Sequence, residues 1–204
     1  MTAELAGEPV VLHSLRAFEA CASVERIVLV TREDRRAEFE AMARGITKLA
    51  AVVAGGAERH LSVWNGIRAA SARADDFLAV HDAARPLVTP AMIDACLADA
   101  RQHGAAACAV PVADTLKRAD AQRMAVGSVE RDGLWAMQTP QIVRTDILER
   151  AYRELIASDA LVTDEVSAVQ RLGLPVAFTR IDEPNFKITL PRDLELARLV
   201  LESR

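Results

Sequence analysis

The sequence predicts an open, mostly parallel α/β sheet with one β-hairpin standing out from it. Three observations carry this expectation. Short β-branched runs recur along the chain, helix-period apolar stripes lie between them, and one polar segment breaks the alternation.

The runs are Arg26–Thr31, Leu49–Val53, Phe77–Val80, Ala107–Val112 and Pro175–Ile181. Each is almost continuously apolar, the pattern of a strand covered on both faces, as in parallel sheets. Between the runs, Val11, Leu15 and Phe18 recur at i, i+4 and i+7, as do Leu190, Leu194 and Ala197, and each set marks a helix with one buried stripe. Thr89-Pro90 and Thr163-Asp164-Glu165 resemble helix starts, with a capping side chain followed by proline or early acids. The interruption is Asp114–Asp132, which has no helical stripe. It holds two extended candidates, Thr115–Arg118 and Met124–Glu130, around the turn-like Ala119–Gln122. A lone two-stranded ribbon is marginal in water, so this arm is expected to pack on a second copy of the chain and make a homodimer.

Composition bounds the rest. With 204 residues, 51% hydrophobic and 26% charged, the chain can bury a large core as a single domain, which excludes disorder as its main state. Twenty-five basic against 29 acidic side chains give −4 without any block of like charge. A sequence-independent grip on nucleic acid is not expected. No apolar run approaches the roughly 18 residues of a membrane span, and the opening residues lack a leader pattern, so the chain reads as cytoplasmic. Cys21, Cys96 and Cys108 lack metal-site spacing and read as small buried hydrophobes. No side chain is assigned as a metal ligand.

Ligands of open α/β sheets collect beyond the carboxyl ends of the strands, so the residues there are the candidates. After the second run, Gly55-Gly56 lets a backbone approach a ligand and leads to Ser62, although a Gly-Gly pair also simply ends a strand. After the third, His81-Asp82-Ala83-Ala84-Arg85-Pro86 sets a carboxylate and a guanidinium three residues apart with small residues between. That spacing fits a ligand site or a local ion pair closing a turn, and both readings stay open. Two of the three lysines, Lys117 and Lys187, fall beside strand ends, where compact charges suit phosphate. Trp64 and Trp135 read as core or interface residues.

Taken in order, His81–Pro86, Pro111–Lys117, Arg131–Gln141, Thr163–Glu165 and Asn185–Thr189, with Gly55–Arg59 and Ser62, resemble the signature of the 2-C-methyl-D-erythritol 4-phosphate cytidylyltransferases. The resemblance runs from about Gly7 to the C-terminus and implies a Rossmann-like sheet of the nucleotide-diphospho-sugar transferase type. The reaction it implies joins CTP to a sugar-alcohol phosphate and releases diphosphate, with Mg²⁺ carried mainly on the CTP phosphates. By the same resemblance Lys187 and Arg131 act on the attacking phosphate. Asp82, Arg85, Thr115, Thr139 and Thr163 bind the substrate, and Gly55, Gly56, Ser62, Asp82 and Ala83 line the nucleotide. Thr115 and Arg131 would reach the site of a partner subunit. Family members open with a strand and a Pro-Ala-Ala-Gly-x-Gly-x-Arg loop followed by a lysine, which have no counterpart in these 204 residues. The domain is therefore expected to be N-terminally incomplete, with little turnover on its own. The alternatives are a ribitol-5-phosphate cytidylyltransferase and a non-catalytic dimeric sugar-phosphate-binding module.

Overall fold

The computed structural model describes residues 2–158 and 162–204. A two-residue ladder, β1 (Glu4–Leu5) with β2 (Glu8–Pro9), leads into α1 (Val10–Ala20). Then come β3 (Ile27–Thr31), α2 (Arg36–Met42), β4 (Leu49–Ala54), α3 (Arg59–Ala70), β5 (Phe77–Val80), α4 (Pro90–His103) and β6 (Ala105–Pro111). The arm is β7 (Leu116–Ala119) with β8 (Ala125–Val129), and the chain closes with β9 (Trp135–Arg144), α5 (Thr145–Ala157), α6 (Glu165–Arg171), β10 (Ala177–Arg180) and α7 (Pro191–Glu202). All five expected strands are present, with ends shifted by two residues or fewer.

The sheet is mixed. Its main part has the order β10-β6-β9-β5, in which β10 runs parallel to β6 while β9 runs antiparallel to both β6 and β5. A separate parallel pair, β3 with β4, lies beside it. The sequence did not mark β9 as a strand, because Gln138-Thr139-Pro140-Gln141 looks unlike a buried one. Gln141 is nevertheless only 2% exposed, and its side-chain oxygen accepts the backbone N–H groups of Glu165 and Val166, each at 3.0 Å. A buried amide is tolerated where its acceptor is filled in this way.

Helices cover both faces of β6, which explains its composition. Ala105 to Ala109 are at most 1% exposed, and their small side chains let α4 approach on one side while α5 and α6 pack on the other. Cys96 and Cys108 join the α4 side as free thiols, and Cys21 is also free and buried. The expected caps form: Thr89 accepts from the Met92 N–H at 3.3 Å, and Asp164 accepts from the Ser167 N–H at 2.9 Å. Gly104 closes α4 at φ +84°, a left-handed cap that suits glycine.

β6 and β9 are the legs of a long antiparallel hairpin whose far part is the β7–β8 ribbon. Asp120 organises the tip by accepting the N–H groups of Gln122 and Met124. Met124 and Val126 stand 65% and 63% exposed on it. The ribbon thus projects with apolar side chains in solvent, as the sequence suggested.

Candidate active site

The carboxyl ends of β4 and β5, the middle of β9 and the segment after β10 converge on one cluster. Past β4, the Gly55 N–H donates to the Thr31 carbonyl at 2.7 Å and the Gly56 N–H to Ser62 Oγ at 3.0 Å. Gly56 requires glycine by contact, since a Cβ there would lie 2.4 Å from Leu61 Cβ and 3.1 Å from the Leu61 carbonyl carbon, while a Cβ on Gly55 would lie 2.6 Å from Ser62 Oγ and displace that hydroxyl. The loop is therefore folded tightly onto the first turn of α3, whose N-terminal end faces the cluster.

Past β5, the turn is locked from below. Thr139 is 4% exposed; its hydroxyl accepts the Asp82 N–H at 3.1 Å and lies 3.0 Å from His81 Nδ1. His81 Nε2 lies 3.2 Å from the Arg85 carbonyl. One proton arrangement satisfies all three contacts: Thr139 donates to Nδ1 and a neutral imidazole donates from Nε2 to the carbonyl. Burial holds His81 in that neutral form by pulling its pKa down to about 4. Thr139, assigned to substrate by resemblance, is thus already engaged in shaping the Asp82 turn. His81 was missed because a lone histidine at a strand end carries no spacing signal.

The charges are shared across the fold. Asp82 Oδ2 accepts from Lys187 Nζ at 2.9 Å, whereas Arg85 Nε stands 4.0 Å away, so the turn is not closed by a tight local pair. Arg85 spends its other nitrogens on the carbonyls of Asn185 at 2.8 Å and Met137 at 3.4 Å, and buried Arg85 Nε has no hydrogen-bond partner among the described residues. Burial pushes the Asp82 carboxyl up, but the bond to Lys187 and the charges of Lys187, Arg59 and Arg85 together hold it below its ordinary range. Burial lowers Arg85, partly offset by Asp82.

Arg59, just past the glycines, is held by Glu165 through bonds of 2.9 and 3.2 Å. Tyr152 donates to the same carboxylate at 2.9 Å, and burial with the Glu165 charge raises the Tyr152 pKa. Burial disfavours the charge on Arg59, but Glu165 outweighs it and raises Arg59. The sequence read Glu165 only as an early helix acid, and its partner 106 residues away carries no local signal.

Ala83 offers its carbonyl to Ser14 Oγ at 3.4 Å, and Thr163 is exposed beside the start of α6. Thr115 and Arg131 lie at the base of the arm, and among the described residues no hydrogen bond or ion pair joins them to Asp82; Arg131 bonds back to the Ala113 carbonyl. Lys117 donates to Ser128 across the ribbon at 2.6 Å. Trp64 stacks on Tyr152 and Trp135 tilts against Phe178, both structural uses.

A family model described as 2-C-methyl-D-erythritol 4-phosphate cytidylyltransferase matches residues 1–203. The chain belongs to this family. Among cytidylyltransferases bearing that name, the one from Symbiobacterium thermophilum is 41% identical over 198 residues, covering 97% of this chain and 83% of the relative. That from Dechloromonas aromatica is 42% identical over 208 residues, covering 98% and 88%. A solved 4-diphosphocytidyl-2C-methyl-D-erythritol synthase superposes with a TM-score of 0.86 at 33% identity, covering 98% of this chain and 93% of the other. The Thermus thermophilus cytidylyltransferase superposes at 0.85 with 28% identity, covering 98% and 93%.

Proposed function

We propose that the chain joins CTP to 2-C-methyl-D-erythritol 4-phosphate, giving 4-diphosphocytidyl-2-C-methyl-D-erythritol and diphosphate for isoprenoid precursor synthesis. The observation that carries this reading is Lys187 on Asp82, set between Arg85 and Arg59 beside a glycine loop too tight at Gly56 for a side chain. A phosphate oxygen of the methylerythritol phosphate attacks the α-phosphorus of CTP; the new P–O bond forms as the bond to the β-phosphate bridge breaks, and diphosphate leaves. Such transfer rests on positioning and charge stabilisation. Lys187, 46% exposed and on a flexible stem, turns from Asp82 to the attacking phosphate. Asp82, released, takes a hydroxyl of the polyol, and Arg85 keeps its Nε for the same substrate. Thr163 adds a hydroxyl from the start of α6. Gly55, Gly56, Ser62 and Ala83 line the nucleotide, with Arg59 fixed by Glu165 on its phosphate side.

Among the described residues no group of three or more acidic, histidine or cysteine side chains stands together, and Asp82 is the carboxylate nearest the reaction. That donor set suits Mg²⁺ bound chiefly to the CTP phosphates, where it would neutralise the leaving diphosphate. The arm brings Thr115 and Arg131 to the site of a second subunit, and exposed Met124 and Val126 support such a homodimer. No helix among the described residues is long and apolar enough to cross a membrane.

Calorimetric titration with the reaction product tests this assignment without requiring turnover. Saturable binding is expected, weakened about tenfold or more by Lys187→Ala with its phosphate contact removed. Equal binding of the ribitol analogue, or indifference to Lys187→Ala, refutes it.

A further inference from the structure

The helix α6 is seven residues long, too short to keep an orientation of its own, so whatever holds its first turn decides where the residues before it stand. The backbone N–H groups of that turn are all taken up inside the protein. Those of Glu165 and Val166 donate to Gln141 Oε1, each at 3.0 Å, that of Ser167 to Asp164 Oδ1 at 2.9 Å, and that of Ala168 to the Asp164 carbonyl at 3.3 Å. The end of α6 is therefore a mounting point and not an open anion site. Among the described residues, Gln141 is the one group that accepts from Glu165 and Val166.

Gln141 is fixed more firmly than the helix it holds. It lies within the main sheet, opposite Val80 of β5 on one side and Ala107 of β6 on the other. Its Nε2 faces the Gln138 carbonyl and Asp164 Oδ2, each at 3.4 Å, so both ends of the amide are engaged. The facing stretch of β6, Ala105 to Ala109, is filled by alanine and cysteine, and burying an amide here is costly unless it is paired. Asp164 already caps α6 in the ordinary way. What the second anchor adds is a fixed register of α6 on β9.

Two residues earlier, the same strand holds the other side of the site. Thr139 accepts the Asp82 N–H on its hydroxyl at 3.1 Å and Asn185 Nδ2 on its carbonyl at 2.9 Å, and the Asn185 carbonyl accepts from Arg85 at 2.8 Å. Lys187 follows Asn185 by two residues. Beyond Gln141, Thr163 precedes Glu165 by two residues, and the Glu165 carboxylate grips Arg59 at 2.9 and 3.2 Å. One short piece of β9 thus spaces the Asp82 turn and the Lys187 segment against the start of α6.

We propose that Gln141 is a positioning residue for cytidylyl transfer. By pinning the start of α6 to β9 it sets Thr163 on the polyol side and, through Glu165, Arg59 on the nucleotide side, both at a fixed separation from Asp82 and Lys187. It acts through those residues and not on the reacting atoms. The inference rests on the assignment of Thr163 and Arg59 to the two substrates given above.

Steady-state kinetics of the full chain with CTP and methylerythritol phosphate test it, together with amide hydrogen exchange at Glu165 and Val166. Gln141→Met removes the acceptor. Gln141→Asn keeps the amide on a side chain one methylene shorter, so the two N–H groups retain an acceptor while α6 is displaced; it decides the question if Gln141→Met fails to fold. Each folded variant is expected to raise KM for both substrates by about fivefold or more and to speed exchange of the two amides by about tenfold or more. Val143→Ala, two residues along β9 and as deeply buried, is expected to lower Tm with both KM values unchanged. A fall in kcat alone in the Gln141 variants, with both KM values at the parent's, is the signature of lost folded enzyme and overturns the proposal. So does an equal rise in KM in Val143→Ala, or exchange of Glu165 and Val166 as slow as in the parent. A parent chain without methylerythritol-dependent turnover refutes the cytidylyl-transfer reading and the inference with it, whereas an active parent with unmoved variants refutes the inference alone.

Discussion

Removing Arg59 should cost far more stability than altering the carboxylate it holds, although the two form one ion pair. Glu165 is 0% exposed, while the Arg59 side chain is 39% exposed. With Arg59→Met the carboxylate stays buried, supported by Tyr152 on Oε1 but without a countercharge. Breaking a buried pair from that side costs about 3–5 kcal/mol. Glu165→Gln retains an oxygen for Tyr152 and for one guanidinium nitrogen, and the freed Arg59 reaches water; its cost is about 1–2 kcal/mol. The double variant carries no stranded charge, so it should resemble Glu165→Gln and show a coupling of about 2 kcal/mol or more. Urea unfolding of the four proteins at neutral pH measures the cycle. Single variants equal within about 0.5 kcal/mol would refute the reasoning, because the burial asymmetry would then have no energetic consequence.

Acid should expose the role of His81. Its folded pKa of about 4 lies below the ordinary 6.5, so the unfolded chain binds the extra proton first; stability falls as pH drops from about 6.5 to 4 and loses nothing more from this group below that. The full effect is about 3 kcal/mol, and His81→Asn should flatten that part of the curve; parallel curves for both proteins would remove His81 as the cause. Sedimentation should show a dimer that Met124→Ser with Val126→Ser weakens without unfolding the domain, whereas a monomer at micromolar concentration would end the shared-site reading.

What the sequence made legible were features written in adjacent residues. The apolar runs became strands, Thr89-Pro90 and Asp164 became caps, and Asp114–Asp132 became a ribbon with its apolar residues in solvent. The lysine at 187 and the aspartate at 82 were each marked by strand-end position, but their 2.9 Å contact spans 105 residues and exists only through the fold. β9 was hidden because its buried face is built from Thr139 and Gln141, whose polarity is satisfied by the Asp82 turn and the start of α6. His81 and Glu165 were missed for the same reason: each acts by holding another residue, and such partners leave no periodic trace.

Diphosphate release with CTP, Mg²⁺ and 2-C-methyl-D-erythritol 4-phosphate tests the central claim most directly. It should be measured on the parent chain and on Lys187→Ala. The account predicts methylerythritol-dependent release that falls by about 10²-fold or more in Lys187→Ala, the scale of one preorganised charge stabiliser. Equal rates for the two proteins would contradict the role given to Lys187, and no methylerythritol-dependent release from either would contradict cytidylyl transfer itself.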